Sequence, residues 1–472
     1  MVHDELIHMS AVRVVDLLQA GELRPSELVE ASIQRIEATD GALNALPVHC
    51  FERAREQARA MEQDSDNSRR TVLGGLPIVV KDNNDVGGVG TSGGTPIFRD
   101  RMAAVSDRCI AQLERNGAIP MAKSNLSELG GANTTNRLFG ATRNPWNTAL
   151  TCGGSSGGSA VAVATGQSWL AHGNDLGGSL RIPPAFCGVT GLRPTPGRIA
   201  RKALSEPFDS VVVDGPIARS IEDLALMFDA MVGFDAGDFL TAPSPDGPFR
   251  PAARAPRKPT GKVAFCLSPG DLTVTREIVA LCEQAVQRLG ALGVRTEAAQ
   301  PDISGAREAI SVLRGDAYAT TWELILEQTG DDAFTAEVLA DIRRGQTQAP
   351  QAVRDAQRWR MALYRRVTDF LQEFDFFICP ATQVLPFPVE QRWPREIDGV
   401  AMTSYLDWIS INYVWSLVGC PVLAIPIGNS ASGLPVGLQV MGPPRSEAAL
   451  LAFGAWIERE LCPAAEVIDP RN

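Results

Sequence analysis

Apolar positions recur at helical spacing through the first part of the chain, after which short apolar runs alternate with amphipathic stretches. SAVRVVDLLQAG predicts a helix capped by Ser10 and stopped by Gly21, and RPSELVEASIQRIEATDG predicts a second, opened near Pro25 and closed at Gly41. Beyond TVLGGLPIVVKD, GAIPMAK follows DRCIAQLERNG, SWLAHG follows GGSAVAVATG, and KVAFCL precedes TREIVALCEQAVQRLGALG. The alternation predicts an α/β fold, a sheet with helices on its faces, under an N-terminal helical layer over residues 1–70. APSPDGPFRPAARAPRKPTG (242–261) reads as a linker or a long surface excursion, and residues 305–372 as mainly helical. Strands return at FDFFICP and PVLAIPIG, so residues 60–472 are expected to form one intertwined unit.

A chain of 472 residues, 44% hydrophobic and 21% charged, can build a core large enough to enclose a water-poor site. Its 44 Lys plus Arg against 55 Asp plus Glu give a formal charge of −11 with no basic block, which argues against nucleic acid as a direct ligand. Nine scattered cysteines without a Cys-x-x-Cys pair predict reduced thiols and a cytoplasmic protein, each cysteine reading first as a small buried hydrophobe. The start MVHDELIHMS has neither the basic nor the apolar region of a leader, and no apolar run reaches the roughly 18 residues of a membrane span. The four histidines (His3, His8, His49, His172) include no i, i+4 pair and join no Cys/His motif, so neither a metal nor another cofactor is expected.

The tract GGSSGGS (153–159) has the composition of a flexible linker. It also contains G-x-S-x-G, the nucleophile elbow of α/β-hydrolases, but the elbow needs an acid and then a histidine after its serine. Only His172 follows, 17 positions on, and it reads better as a packed or hydrogen-bonded residue. GVGTSG (88–93) satisfies G-x-G-x-x-G, yet Gly94, Thr95 and Pro96 come next where a dinucleotide site opens a helix. A turn-rich loop is the better reading. A serine nucleophile without histidine needs another base, and Lys81 closes the apolar run LPIVVK, where desolvation disfavours the ammonium form. A free lysine is neutral about one time in 2,500 at pH 7, so burial must lower its pKa by several units.

Taken together, GLPIVVKDNNDVGGVGTSGG, GGSSGGSAVAVATGQSWLAHGNDLGGSLRIPPAFCGVTGLRPTPGRI and GCPVLAIPIGNSASGLPVGLQVMG resemble the amidase signature family of serine hydrolases, three separated motifs in the family's order. The resemblance implies one domain over 1–472, a central mixed β-sheet covered by helices on both faces, and 305–372 as a helical substrate-pocket insertion. It implies a Ser-cisSer-Lys set in which Lys81 is the base, Ser155 the bridging serine on a cis peptide and Ser179, 24 positions on, the nucleophile. Backbone N–H groups of Leu176, Gly177, Gly178 and Ser179 would form the oxyanion hole. The implied reaction is hydrolysis of a C–N acyl bond of a small amide or acylhydrazide through an acyl-serine, without cofactor. The alternative within the family is a glutamine-dependent amidotransferase subunit working with a partner protein.

Two departures stand out. Asn174-Asp175-Leu176 occupies the place of a common Thr-Asp-Thr, and Pro184 stands where a small residue is usual. HGND before the nucleophile is similar to the branch holding cyclic-dimer amide hydrolases and acylhydrazide hydrolases (hydrazidases). Specificity is expected from 305–372 and from TSYLDWISINYVWSL, where Tyr405, Trp408, Tyr413 and Trp415 either line an apolar acyl pocket or are plain core. A homodimer is the default assembly. A catalytically silent binding protein and a dinucleotide oxidoreductase are the rivals from other classes.

Overall fold

The computed structural model describes residues 3–201, 208–462 and 466–471. In chain order the strands are β1 (Val48–His49), β2 (Pro77–Lys81), β3 (Ile119–Ser124), β4 (Thr135–Asn136), β5 (Gly140–Ala141), β6 (Leu170–Asp175), β7 (Thr190–Arg193) and β8 (Val213–Ala218). Then come β9 (Lys262–Phe265), β10 (Arg295–Ala298), β11 (Phe374–Pro380), β12 (Glu396–Ile397), β13 (Val400–Ala401), β14 (Val422–Asn429) and β15 (Pro435–Met441). Eleven of them form one sheet in the order β1-β3-β2-β6-β8-β7-β14-β15-β11-β9-β10, with β4-β5 and β12-β13 as separate pairs. Parallel pairing of β2 with β3 and β6 and of β9 with β10 and β11 flanks an antiparallel centre, so the sheet is mixed.

β2, β3 and β6 are buried along their whole length, as strands covered on both faces must be; this explains the apolar runs of β2 and β3, whereas β6 buries the polar His172, Asn174 and Asp175. The helix Gly157–Ala164 that follows the Gly/Ser tract is likewise wholly buried, its small side chains permitting close approach to the sheet. Among the described residues no helix is long and apolar enough to cross a membrane.

The first predicted helix runs Ala11–Ala20, with Ser10 Oγ accepting from Arg13 N–H and Gly21 left-handed at its end. The second, Pro25–Leu43, continues through Gly41 and stops instead at left-handed Asn44. Burial of Leu43 extends the last turn, and the Asp40 carboxylate takes the N–H groups of Ala45 and Leu46 just beyond it. The proline-rich stretch 242–261 is not a bare linker: Phe249 and Ala253 are buried, the Phe249 ring lies on Phe228, and Asp229 accepts the N–H groups of Phe249 and Arg250 around the short helix Arg250–Arg254. Residues 305–372 form the helices Ala306–Thr329, Ala336–Thr347 and Pro350–Glu373.

Candidate active site

Three segments converge where β2 and β6 end. Lys81, last residue of β2, is fully buried, and its Nζ lies 2.7 Å from Ser155 Oγ. Ser155 Oγ in turn lies 3.0 Å from Ser179 Oγ, which also accepts the Ser155 backbone N–H at 2.9 Å. The Gly154–Ser155 peptide is cis. Gly154 has no room for a side chain, since a Cβ there would stand 2.3 Å from the Ala132 carbonyl oxygen. The tract is therefore packed against the 132–134 backbone, and Thr134 Oγ1 accepts the Gly157 N–H at 3.0 Å.

The Lys81 pKa is lowered by burial to about 7, although Asp175 and Asp214 both pull it upward. Among the described residues no carboxylate touches its ammonium; its other contacts are Asn174 Oδ1 at 2.6 Å and the Asn174 carbonyl at 3.5 Å. Lys123, at the matching end of β3, differs in that Asp82 pairs with it at 2.9 Å. Of these two buried lysines, Lys81 is the one placed to shed its proton without breaking an ion pair.

The Leu176–Ser179 turn is clamped by Asp175. Its carboxylate accepts the N–H groups of Gly178 and Leu180 at 2.9 Å each and pairs with Arg181 and Arg193 at 3.0 Å, all three side chains being buried. Burial alone would raise the Asp175 carboxyl, but the two guanidiniums and the Leu180 N–H outweigh it and hold the group well below the usual carboxylate range. Gly178 adopts φ 126°, a conformation open in practice only to glycine. Of the predicted set Leu176, Gly177, Gly178 and Ser179, the Gly178 N–H donates to the Asp175 carboxylate.

The aromatic stripe at 405–416 belongs to the core. Every residue of the helix Tyr405–Ser416 except Asp407 is buried, Trp408 stacks on Phe186 and meets Phe387 edge-on, and Trp415 meets Phe377 edge-on. Its Asn412 and Tyr413 side chains pack directly on the Leu176–Ser179 turn, where a Cβ added at Gly178 or Gly177 would stand 2.7 or 2.9 Å from them. Leu176, three residues before Ser179, belongs with the partly buried Ile97, Leu129 and Trp322 to an apolar set packed on Tyr318, Phe334 and Val338 of the helical insertion. Arg314 ties that insertion to the site, pairing with Asp341 at 2.6 Å and donating to the Gly131 carbonyl at 2.8 Å.

Sequence reasoning misses the contacts behind Lys81. Asn174 stands out in the sequence only as a departure in pattern; its contact with Lys81 spans 93 positions and leaves no local signal. Cys109, His172 and Asp214 lie far apart in sequence, yet the fold brings one donor atom from each within 4.8 Å of the others. Hydrogen bonding accounts for that cluster: His172 Nε2 is 3.2 Å and Asn84 Nδ2 3.4 Å from Asp214 Oδ1. The GVGTSG glycines form a loop, in which Thr91 Oγ1 accepts from Lys123.

The sequence profile of the Amidase family matches residues 27–451. An acylamidase of Rhodococcus erythropolis is 31% identical over 465 residues, 97% of this chain and 96% of its own. A glutamyl-tRNA(Gln) amidotransferase subunit of Moorella thermoacetica is 33% identical over 472 aligned residues, 95% of each chain. Among solved structures, a bacterial aryl acylamidase of the amidase signature family superposes with a TM-score of 0.90 at 26% identity over 97% of each chain. A 6-aminohexanoate cyclic dimer hydrolase complexed with substrate gives 0.88 at 27% identity, covering 99% of this chain and 100% of its own.

Proposed function

This chain belongs to the amidase signature family and is an amidase-type C–N hydrolase, and from that premise we propose that it cleaves a small amide through an acyl-Ser179 intermediate. The observation that carries the reading is the contact chain from Lys81 Nζ through Ser155 Oγ to Ser179 Oγ, 2.7 and 3.0 Å, inside a buried site. Neutral Lys81 takes the Ser155 hydroxyl proton as Ser155 takes that of Ser179, and Ser179 Oγ bonds to the acyl carbon. The carbonyl electron pair moves to oxygen, where the N–H groups of Leu176, Gly177 and Ser179 stabilise it. Collapse breaks the C–N bond, and the proton returns through Ser155 to the departing nitrogen. Water then attacks the acyl carbon, giving up its proton along the same route and releasing the carboxylic acid and free Ser179.

Intact-protein mass after a fluorophosphonate tests the assignment. One adduct on the wild type, absent from Ser179→Ala, supports it; an adduct that survives in Ser179→Ala and disappears in Ser155→Ala transfers the nucleophile to Ser155. The pH profile adds a second check. Because the amine must be neutral, kcat/KM is expected to rise as pH passes through about 7 and then level off. Lys81→Met is expected to lose that limb together with about 10²- to 10⁴-fold in rate.

The apolar wall at Leu176, Leu129 and Trp322 supports an apolar or aromatic acyl group. A benzoyl anilide is expected to exceed the acetyl anilide in kcat/KM by about tenfold, a margin that Trp322→Ala narrows through KM. Equal rates for both substrates would remove the wall from specificity. HGND, similar to a branch that includes acylhydrazide hydrolases, supports extending the leaving group from amines to hydrazine, which a matched benzamide and benzoylhydrazide pair measures. Similarity to the amidotransferase chain supports a second reading, glutamine hydrolysis in the service of a partner protein. Glutaminase activity that appears only with a partner would favour that reading over turnover by the chain alone.

A further inference from the structure

We propose that Asp214 and Asn84 are positioning residues for Lys81, forming with Asn174 a polarised relay that turns the lysine's lone pair toward Ser155. The proposal rests on the Lys81 assignment above. Asn174 and Asp214 face each other across the antiparallel β6/β8 ladder, with His172 and Pro216 the next pair on that side. Asn84, just past the end of β2, fills the space between them. Its Nδ2 lies 3.4 Å from Asp214 Oδ1, its Oδ1 accepts Asn174 Nδ2 at 3.3 Å, and Asn174 Oδ1 contacts Lys81 Nζ at 2.6 Å.

The direction of this chain is forced from one end. An ionised carboxylate only accepts hydrogen bonds, so Asn84 must give Asp214 its NH₂ and turn its oxygen to Asn174. Asn174 must then give its NH₂ to Asn84 and its oxygen to Lys81. A neutral lysine amine has two N–H bonds and one lone pair. With Asn174 Oδ1 and the Asn174 carbonyl drawing on the N–H bonds, the lone pair is left for Ser155. A flipped Asn174 amide would instead donate to that lone pair and disable the base.

Asp214 also keeps its charge. Burial would raise its carboxyl, yet the His172 ring bonded to it, helped by Arg201 and Cys109, holds the group below its ordinary value. Cys109 in turn is pushed well up, by burial first and then by Asp214 and Asp107, so it stays a thiol. His172 Nδ1 has no hydrogen-bond partner among the described residues, so Nε2 is the ring nitrogen that faces Asp214. The charged groups facing Lys81 are thus Asp175 on β6, largely offset by Arg181 and Arg193, and Asp214 on β8.

The test is the pH dependence of fluorophosphonate labelling, followed by intact mass, for wild type, Asp214→Asn, Asn84→Leu and Ser179→Ala. Removing the Asp214 charge favours the neutral amine, so the acid limb in Asp214→Asn is expected about one pH unit below that of wild type. Asn84→Leu, with the Asp214 charge intact, is expected to slow labelling at the plateau by about tenfold or more, since Asn174 can then flip. A merely structural role would lower Tm while leaving limb and plateau in place, and that result overturns the proposal. Stoichiometric zinc retained through purification would also overturn it, reassigning Cys109, His172 and Asp214 as ligands. A label found on Ser155 whose limb still shifts in Asp214→Asn would support the relay and overturn only the nucleophile assignment.

Discussion

Ser179→Ala is expected to lower kcat/KM for an aryl amide by about 10⁴-fold or more, because nucleophile and base act as a unit and removing either removes the covalent route. The fold should survive. The substitution takes one acceptor from the buried Ser155 N–H, a cost of about 1–3 kcal/mol that thermal unfolding reads separately. Activity within tenfold of wild type would end the acyl-Ser179 mechanism. The size of the effect follows from geometry: the two serine oxygens lie 3.0 Å apart, and the other hydroxyl in the contact chain is the one that relays to Lys81. Ser155→Ala should be severe as well, but it leaves Ser179 in place with its proton unclaimed, so slow residual acylation at high pH is the expected difference.

Asp175→Ala is expected to be the most destabilising single change near the site, by about 3–5 kcal/mol, because it leaves the Arg181 and Arg193 guanidiniums buried without their carboxylate. Urea unfolding at pH 7 measures this directly. Asp175→Asn, which keeps an acceptor for Leu180 or Gly178 but no charge, should fall between. The pH dependence has a defined sign. The folded-state pKa of Asp175 is depressed, so its contribution is fully present above the ordinary carboxylate range and is lost as pH falls below it. Wild type should therefore lose stability toward acid more steeply than Asp175→Asn. A variant as stable as wild type at pH 7 would show that the clamp contributes nothing net.

Much of the site is legible in the sequence because its spacing is local to each motif. Lys81 ends an apolar strand, Ser155 sits in a glycine tract before a small-residue helix, and Ser179 closes a second glycine turn; each is visible in a dozen residues. What does not show is whatever depends on partners far along the chain. The Asn174–Lys81 contact and the Asn84–Asp214 bond are facts of strand order, and sequence carries no marker for which strand lies beside which. Tyr405, Trp408, Tyr413 and Trp415 can be read as pocket or core because a helix this apolar has little polar face to orient it, and only its packing decides for the core. The 242–261 stretch misleads through its prolines, whose turn-forming character says nothing of Phe249 tucked between them against Phe228. The Gly41 stop fails for a smaller reason, since asparagine shares glycine's tolerance of the left-handed region and Asn44 comes three residues later.

The clamp on the nucleophile turn also bears on how the protein is made. Arg181, which pairs with Asp175, is held from its other side by Ser416 Oγ, the Asn412 carbonyl and Gln439 Oε1, more than 230 residues further along. During synthesis Lys81, Ser155 and Ser179 all leave the ribosome well before those supports exist. A nascent or truncated chain ending before Asn412 thus carries the three proposed catalytic side chains without the contacts that hold Arg181. On the proposed mechanism, hydrolytic competence is expected only once these supports are in place, so activity in a cell extract would report completed chains.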